Sequence, residues 1–178
     1  MTEKKNLYEK SKGEMRLTER ILAELPGFRG YKEKELRRES DKQIRNHLYE
    51  KLTKARSDLK ETFQTLSQQR RYEALTNMDL LVTKYDRIAE KINHASYGYT
   101  GFFDVTKVDE EKLDKMIEFD TQLLDEVQNV ADKASTFKKE INQKDYSKAA
   151  DHIQEVNEAL ETLEDTFDQR EETILGVN

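Results

Sequence analysis

The chain has 178 residues, 38% of them charged and 35% hydrophobic. That apolar fraction is low for a compact α/β enzyme and suits long helices that bury one narrow stripe. No cysteine is present and no apolar run approaches the roughly 20 residues that span a bilayer, which excludes disulfides, thiolate zinc sites, thiol catalysis and a membrane-spanning helix.

The apolar spacing predicts five helices in a single domain over residues 1–178. The first is expected near residues 2–24, with Thr2 as N-cap and a thin stripe of Leu7, Tyr8, Met15, Ile21, Leu22 and Leu25. "LPGFRGY" ends it, because Pro26 disfavours helical geometry at Leu25 and Gly27 and Gly30 permit a tight turn. The second is expected at 31–67, where Ile44, Leu48, Leu52, Ala55, Leu59, Phe63 and Leu66 recur at steps of three and four. A break is placed at 68–71, although no glycine or proline marks it. The third is expected at 72–95, the fourth at 109–142 after the acids Asp109, Glu110 and Glu111, and the fifth at 146–175. Short connections make neighbouring helices antiparallel, so the expected fold is an all-α, elongated up-down bundle with coiled-coil-like packing.

Helix 2 should span roughly 55 Å and helix 3 only about 35 Å. Residues 96–108 are long enough to fill the length that helix 3 leaves open along helix 2. Alternating directions also bring the helix 1–2 turn and the helix 3–4 loop to one end. That end gathers Phe28, Tyr31, Tyr97, Tyr99, Phe102 and Phe103, with Arg29 and Lys32 among them. Phe102 and Phe103 are expected inward as a plug. Phe28, Arg29, Tyr31, Lys32, Tyr97 and Tyr99 are expected to face a protein partner, since Tyr and Arg are typical hot-spot residues.

The net charge of −6 hides a gradient. Residues 1–70 sum to +6, residues 71–107 to 0 and residues 108–178 to −12. Within the basic third, Lys34, Arg37 and Arg38 are the candidates for a phosphate or anionic lipid headgroup. A basic N-terminal region followed by an acidic C-terminal one is similar to the charge layout of membrane-remodelling scaffolds. An anionic membrane surface is therefore the alternative partner. Nucleic acid is not expected, because the chain is acidic and carries no base-reading module.

Catalytic motifs are sparse. His47, His94 and His152 have no paired ligand one turn away, and there is no Glu-x-x-His, so no metal site is expected. Glu118 and Asp120 straddle Phe119 and are expected as helix-surface acids. Gly-rich phosphate loops and the nucleophile-elbow motif are missing, and no enzyme activity or cofactor is expected. The first 20 residues are charged throughout, so no signal peptide is expected, and a cytoplasmic protein, peripheral to a membrane at most, is the reading.

Two stretches, "LPGFRGYKEKELRRESD" and "YGYTGFFDVTKVDEEKLD", together resemble a family of uncharacterised prokaryotic helical proteins. The resemblance covers about residues 25–125. It implies a prokaryotic, soluble, helical protein and supplies no catalytic residues. The expected function is a non-enzymatic helical scaffold that binds a protein partner through the aromatic-basic end, with self-association suggested by the thin stripe of helix 1.

Overall fold

The computed structural model describes residues 13, 15–95 and 102–176. Among them are five helices and no strand: α1 at 15–24, α2 at Lys34–Gln68, α3 at Tyr72–His94, α4 at Glu110–Asn142 and α5 at Ala149–Leu175. The all-α class read from periodicity is the class adopted. No helix among the described residues is long and apolar enough to cross a membrane.

The chain divides into two compact units. Unit 1 takes Met1–His47, Ser96–Leu123 and Thr166–Asn178, and unit 2 takes Leu48–Ala95 and Leu124–Asp165. α2, α4 and α5 each supply residues to both, and α3 lies wholly in unit 2.

Unit 2 packs four helical segments around Leu52, Leu59, Met78, Leu81, Ile88, Val127, Val130, Phe137, Val156 and Leu160, all sealed from solvent. Side-chain pairs give the directions. Tyr49 meets Glu90 and Arg56 meets Asp86, so α2 and α3 run antiparallel. Lys138 meets Asp58 at 2.8 Å and Lys51 meets Gln128 at 3.4 Å, so α2 and α4 run parallel. Lys84 meets Asn157 and Arg87 meets Glu164, so α3 and α5 run parallel. Tyr85 is buried, and its phenol donates to the Leu52 carbonyl at 2.7 Å. That bond satisfies a polar group which would otherwise cost about 1–3 kcal/mol.

The break after α2 is real and needs no glycine. Arg70 adopts φ 56°, Arg71 N–H donates to the Leu66 carbonyl and Arg70 N–H to Ser67, which is a Schellman cap. α4 ends the same way at Lys144, with φ 63° and bonds from Asp145 to Glu140 and from Lys144 to Ile141. α5 begins at Ala149 and not at Tyr146. The Asp145 carboxylate accepts from the Ser147 backbone N–H at 3.1 Å and from its hydroxyl at 2.7 Å, folding those residues into an Asx turn before the helix.

Glu164 on α5 takes both ends of the Arg87 guanidinium at 2.5 and 2.7 Å and the Lys91 ammonium at 3.2 Å. The Arg87 hydrogen bonds, with Lys91, hold its carboxyl far below the usual range, at about 2. A depressed carboxylate adds stability above its unfolded value, near pH 4.3, and loses it as pH falls toward 2. Glu164→Gln is expected to cost about 1–2 kcal/mol at neutral pH, after allowing for partial exposure of the pair. The deficit should shrink as pH falls from about 4 and disappear only below pH 2 in denaturant unfolding; an unchanged deficit across that range would show that charge plays no part.

Unit 1 contains α1, the turn at 25–33, the starts of α2 and α4, the segment 102–109 and the end of α5. Only Ile21 of α1 is fully buried. The turn uses Gly27 at φ 95° and Gly30 at φ 72°, a region that side chains with a Cβ rarely adopt. Phe28, Tyr31, Phe102 and Phe103 form a chain of edge-to-face rings with centroids 5.8, 5.3 and 5.5 Å apart. The two loops expected at one end do meet there, and 102–105 lies against the first turns of α2.

Candidate functional site

Beneath the aromatic chain lies a buried polar network. Arg170 of α5 donates from Nε to Asp120 at 2.7 Å, from Nη1 to Asp41 at 2.8 Å and from Nη2 to the Tyr31 hydroxyl at 3.0 Å. Tyr31 in turn donates to Asp120 at 2.5 Å, and Arg45 donates to the second oxygen of Asp41 at 2.9 Å. Two cations and two anions cancel, and the planar guanidinium suits three acceptors spread around its edge. Arg170 and Asp120 are both 0% exposed. Burial pushes the Asp120 carboxyl above its ordinary value despite the ion pair, and raises the Tyr31 phenol well above its own.

This network corrects three expectations. Asp120 is not a surface acid: it falls on the inward stripe of α4, one turn from Met116 and Leu123, and finds its counter-charge on α5. Glu118 is exposed, so the two acids leave the helix in different directions, and only Glu118 reaches water. Tyr31 does not face a partner, because its ring is core and its hydroxyl is bonded twice. Phe28 is likewise buried, as the first ring of the aromatic chain. Phe102 and Phe103, expected inward, are buried.

The basic candidates also separate. Arg37 is 1% exposed and donates to three backbone carbonyls: Tyr31 at 2.8 Å, Phe102 at 3.0 Å and Val105 at 2.7 Å. Arg38 lies over the Phe103 ring at 4.9 Å and pairs with Asp104 at 3.1 Å. The expected headgroup triad of Lys34, Arg37 and Arg38 is therefore not formed: Arg37 is committed to backbone inside the fold, Arg38 is held by Asp104 and Phe103, and Lys34 is left exposed. Tyr97 and Tyr99 lie outside the described residues.

Arg29 and Lys32 are exposed, and they stand at the mouth of a cleft of about 430 Å³ between α1, the 25–33 turn and the start of α4. Its apolar lining comes from Met15, Leu17, Leu113 and Ile117, with Tyr31 in the wall and Glu19, Asp114 and Glu118 around it. Met15 is 61% exposed. Leu113 and Ile117 sit one turn apart on α4 and are half-buried, so they form a ridge along the cleft. Asp114 lines the cleft half-buried, with one carboxylate oxygen sealed from solvent, and Tyr31 in the wall joins the cleft to the buried acid-phenol-guanidinium set behind it.

The sequence did hold signals for the missed residues. Arg170 is the only Lys or Arg in α5, and it continues the inward sequence of Ile153, Val156, Leu160, Leu163 and Phe167 before Ile174. A lone cation on an apolar stripe asks for a buried anion. Asp120 stands on the corresponding stripe of α4. No protein-family model matches this chain, and no curated protein or solved structure matches it either.

Proposed function

We propose that the protein is a non-enzymatic interaction module that takes an amphipathic helix of a protein partner into the cleft between α1 and α4. The observation that carries this reading is the open apolar lining, Met15, Leu17, Leu113 and Ile117, flanked on one side by Arg29 and Lys32. A volume of about 430 Å³ falls within the range of roughly 300–1,000 Å³ typical of binding pockets. Helix-in-groove recognition uses apolar anchors one turn apart, and Leu113 and Ile117 offer the matching ridge. Acidic residues beside those anchors meet Arg29 and Lys32, and a basic one meets Glu19 or Glu118. A cytoplasmic, prokaryotic setting belongs to the same proposal. The anionic-membrane alternative is weaker, since two of its three basic residues are engaged within the fold.

Site-specific photo-crosslinking in the native cell tests it. A photoreactive residue at position 15 should give a discrete adduct that the same residue at position 158, exposed on α5, does not give. Arg29→Glu with Lys32→Glu, both at exposed positions, should remove the adduct at unchanged thermal stability, and Ile117→Glu should remove it too. An adduct that survives both variants, or appears equally from position 158, rules the cleft out.

A further inference from the structure

We infer that Met15 is a redox switch for the cleft: a peroxide converts it to the sulfoxide and thereby weakens docking there. The switch rests on the proposed binding role of the cleft and adds its regulation. Met15 is 61% exposed and lines the cleft, whereas Met78 and Met116, the other described methionines, are 0% exposed. Those two lie in the cores of unit 2 and unit 1. No cysteine competes for the oxidant, so the Met15 thioether is the softest nucleophile that the described residues present to solvent. Of α1 only Ile21 is fully buried, so a change at Met15 disturbs no core contact. An oxidant therefore reaches the binding surface while sparing the fold.

The step is a two-electron oxygen transfer. The Met15 Sδ lone pair attacks one oxygen of hydrogen peroxide, the O–O bond breaks, an S–O bond forms, and the second oxygen leaves as water. A flexible apolar side chain becomes a polar one that accepts hydrogen bonds and donates none. In the open cleft water solvates the new oxygen. Beneath a docked apolar anchor it loses that water among Leu17, Leu113 and Ile117, whose side chains offer no donor. The carboxylates around the lining, Glu19, Asp114 and Glu118, only accept. Arg29 and Lys32 can donate, but the proposed docking commits them to acids of the partner. Oxidation should therefore weaken docking about tenfold or more, as for a polar group buried without its water.

The full chain, carrying a photoreactive residue at position 18 of the same lining, is treated with hydrogen peroxide, freed of it, and irradiated in extract of the native cell. Peptide mapping should find Met15 oxidised about tenfold or more faster than Met78 and Met116, at unchanged melting temperature. The adduct should fall about tenfold and return after treatment with a methionine sulfoxide reductase. In Met15→Leu, whatever adduct forms before peroxide should be the same after it. Oxidation of Met78 or Met116 as fast as Met15, or an adduct that survives full oxidation of Met15, overturns the switch and leaves the cleft reading standing. So does an equal fall in Met15→Leu. An adduct absent before peroxide as well as after overturns the cleft reading, and the switch with it.

Discussion

Arg170→Met is expected to lower folding stability by about 3–5 kcal/mol, the cost of leaving buried charge without its partner. Asp120 would retain only the Tyr31 hydroxyl, and Asp41 only Arg45. Methionine fills comparable volume, so the loss reads electrostatics and not a cavity. The double variant Arg170→Met, Asp120→Leu should recover most of it, since exchanging a buried ion pair for apolar side chains is often neutral or better. Denaturant unfolding followed by circular dichroism measures both. A loss under about 1 kcal/mol in the single variant would mean that water or a local shift relieves the orphaned carboxylates. The sign of the acid dependence is also fixed. Asp120 is raised in the folded state, so its contribution is fullest below its unfolded value and is lost as pH rises through the folded one. Glu164 acts in the opposite sense, so removing the Asp120 carboxylate and removing the Glu164 carboxylate should tilt the acid limb of the stability curve in opposite directions.

Arg37→Ala is expected to cost about 3 kcal/mol, from three backbone carbonyls that lose a charged donor together. The informative comparison is Arg37→Lys. An ammonium keeps the charge but is a compact point, and it cannot donate in two directions across the span from Tyr31 to Val105. About half of the loss should therefore persist in the lysine variant. Native-state hydrogen exchange locates the effect. The Phe102 amide, which donates to the Ile174 carbonyl at 3.2 Å, should exchange faster, while amides of α3 stay as they were. A lysine variant with wild-type stability and wild-type exchange at Phe102 would show that charge alone holds the loop.

The helices themselves were legible because their apolar positions repeat over many turns. From Ile44 to Leu66 no other element produces that spacing, and α2 follows it. Its end was harder to place, because the left-handed residue of the cap is Arg70 and not glycine, and composition says nothing there. The loop placement was legible in part from length: α3 is shorter than α2 and the segment from Phe102 to Val105 packs against the start of α2, while residues 96–101 lie outside the described ones. Which rings turn inward was legible for Phe102 and Phe103 and not for Phe28 and Tyr31. Phe28 and Tyr31 share a turn with Arg29 and Lys32, and only the three-dimensional path sends the first pair to the core and the second to solvent. Asp120 was misread for a related reason. Taken with its neighbour Glu118 it looks like surface charge, whereas its true partner, Arg170, is 50 residues away. The cleft was invisible because it depends on α1 resting through Ile21 while Met15 stays uncovered.

Tyr31 belongs at once to the ring chain, to the polar network and to the wall of the cleft. A binding wall made from a side chain with its rotamer already fixed loses no freedom when something docks against it, so the ordering penalty falls mainly on the guest. The same commitment makes Tyr31 a treacherous genetic marker. A substitution there that abolished binding would report a collapsed network as readily as a lost contact. Arg29 and Lys32, its near neighbours in the turn, are the residues at which the two effects come apart.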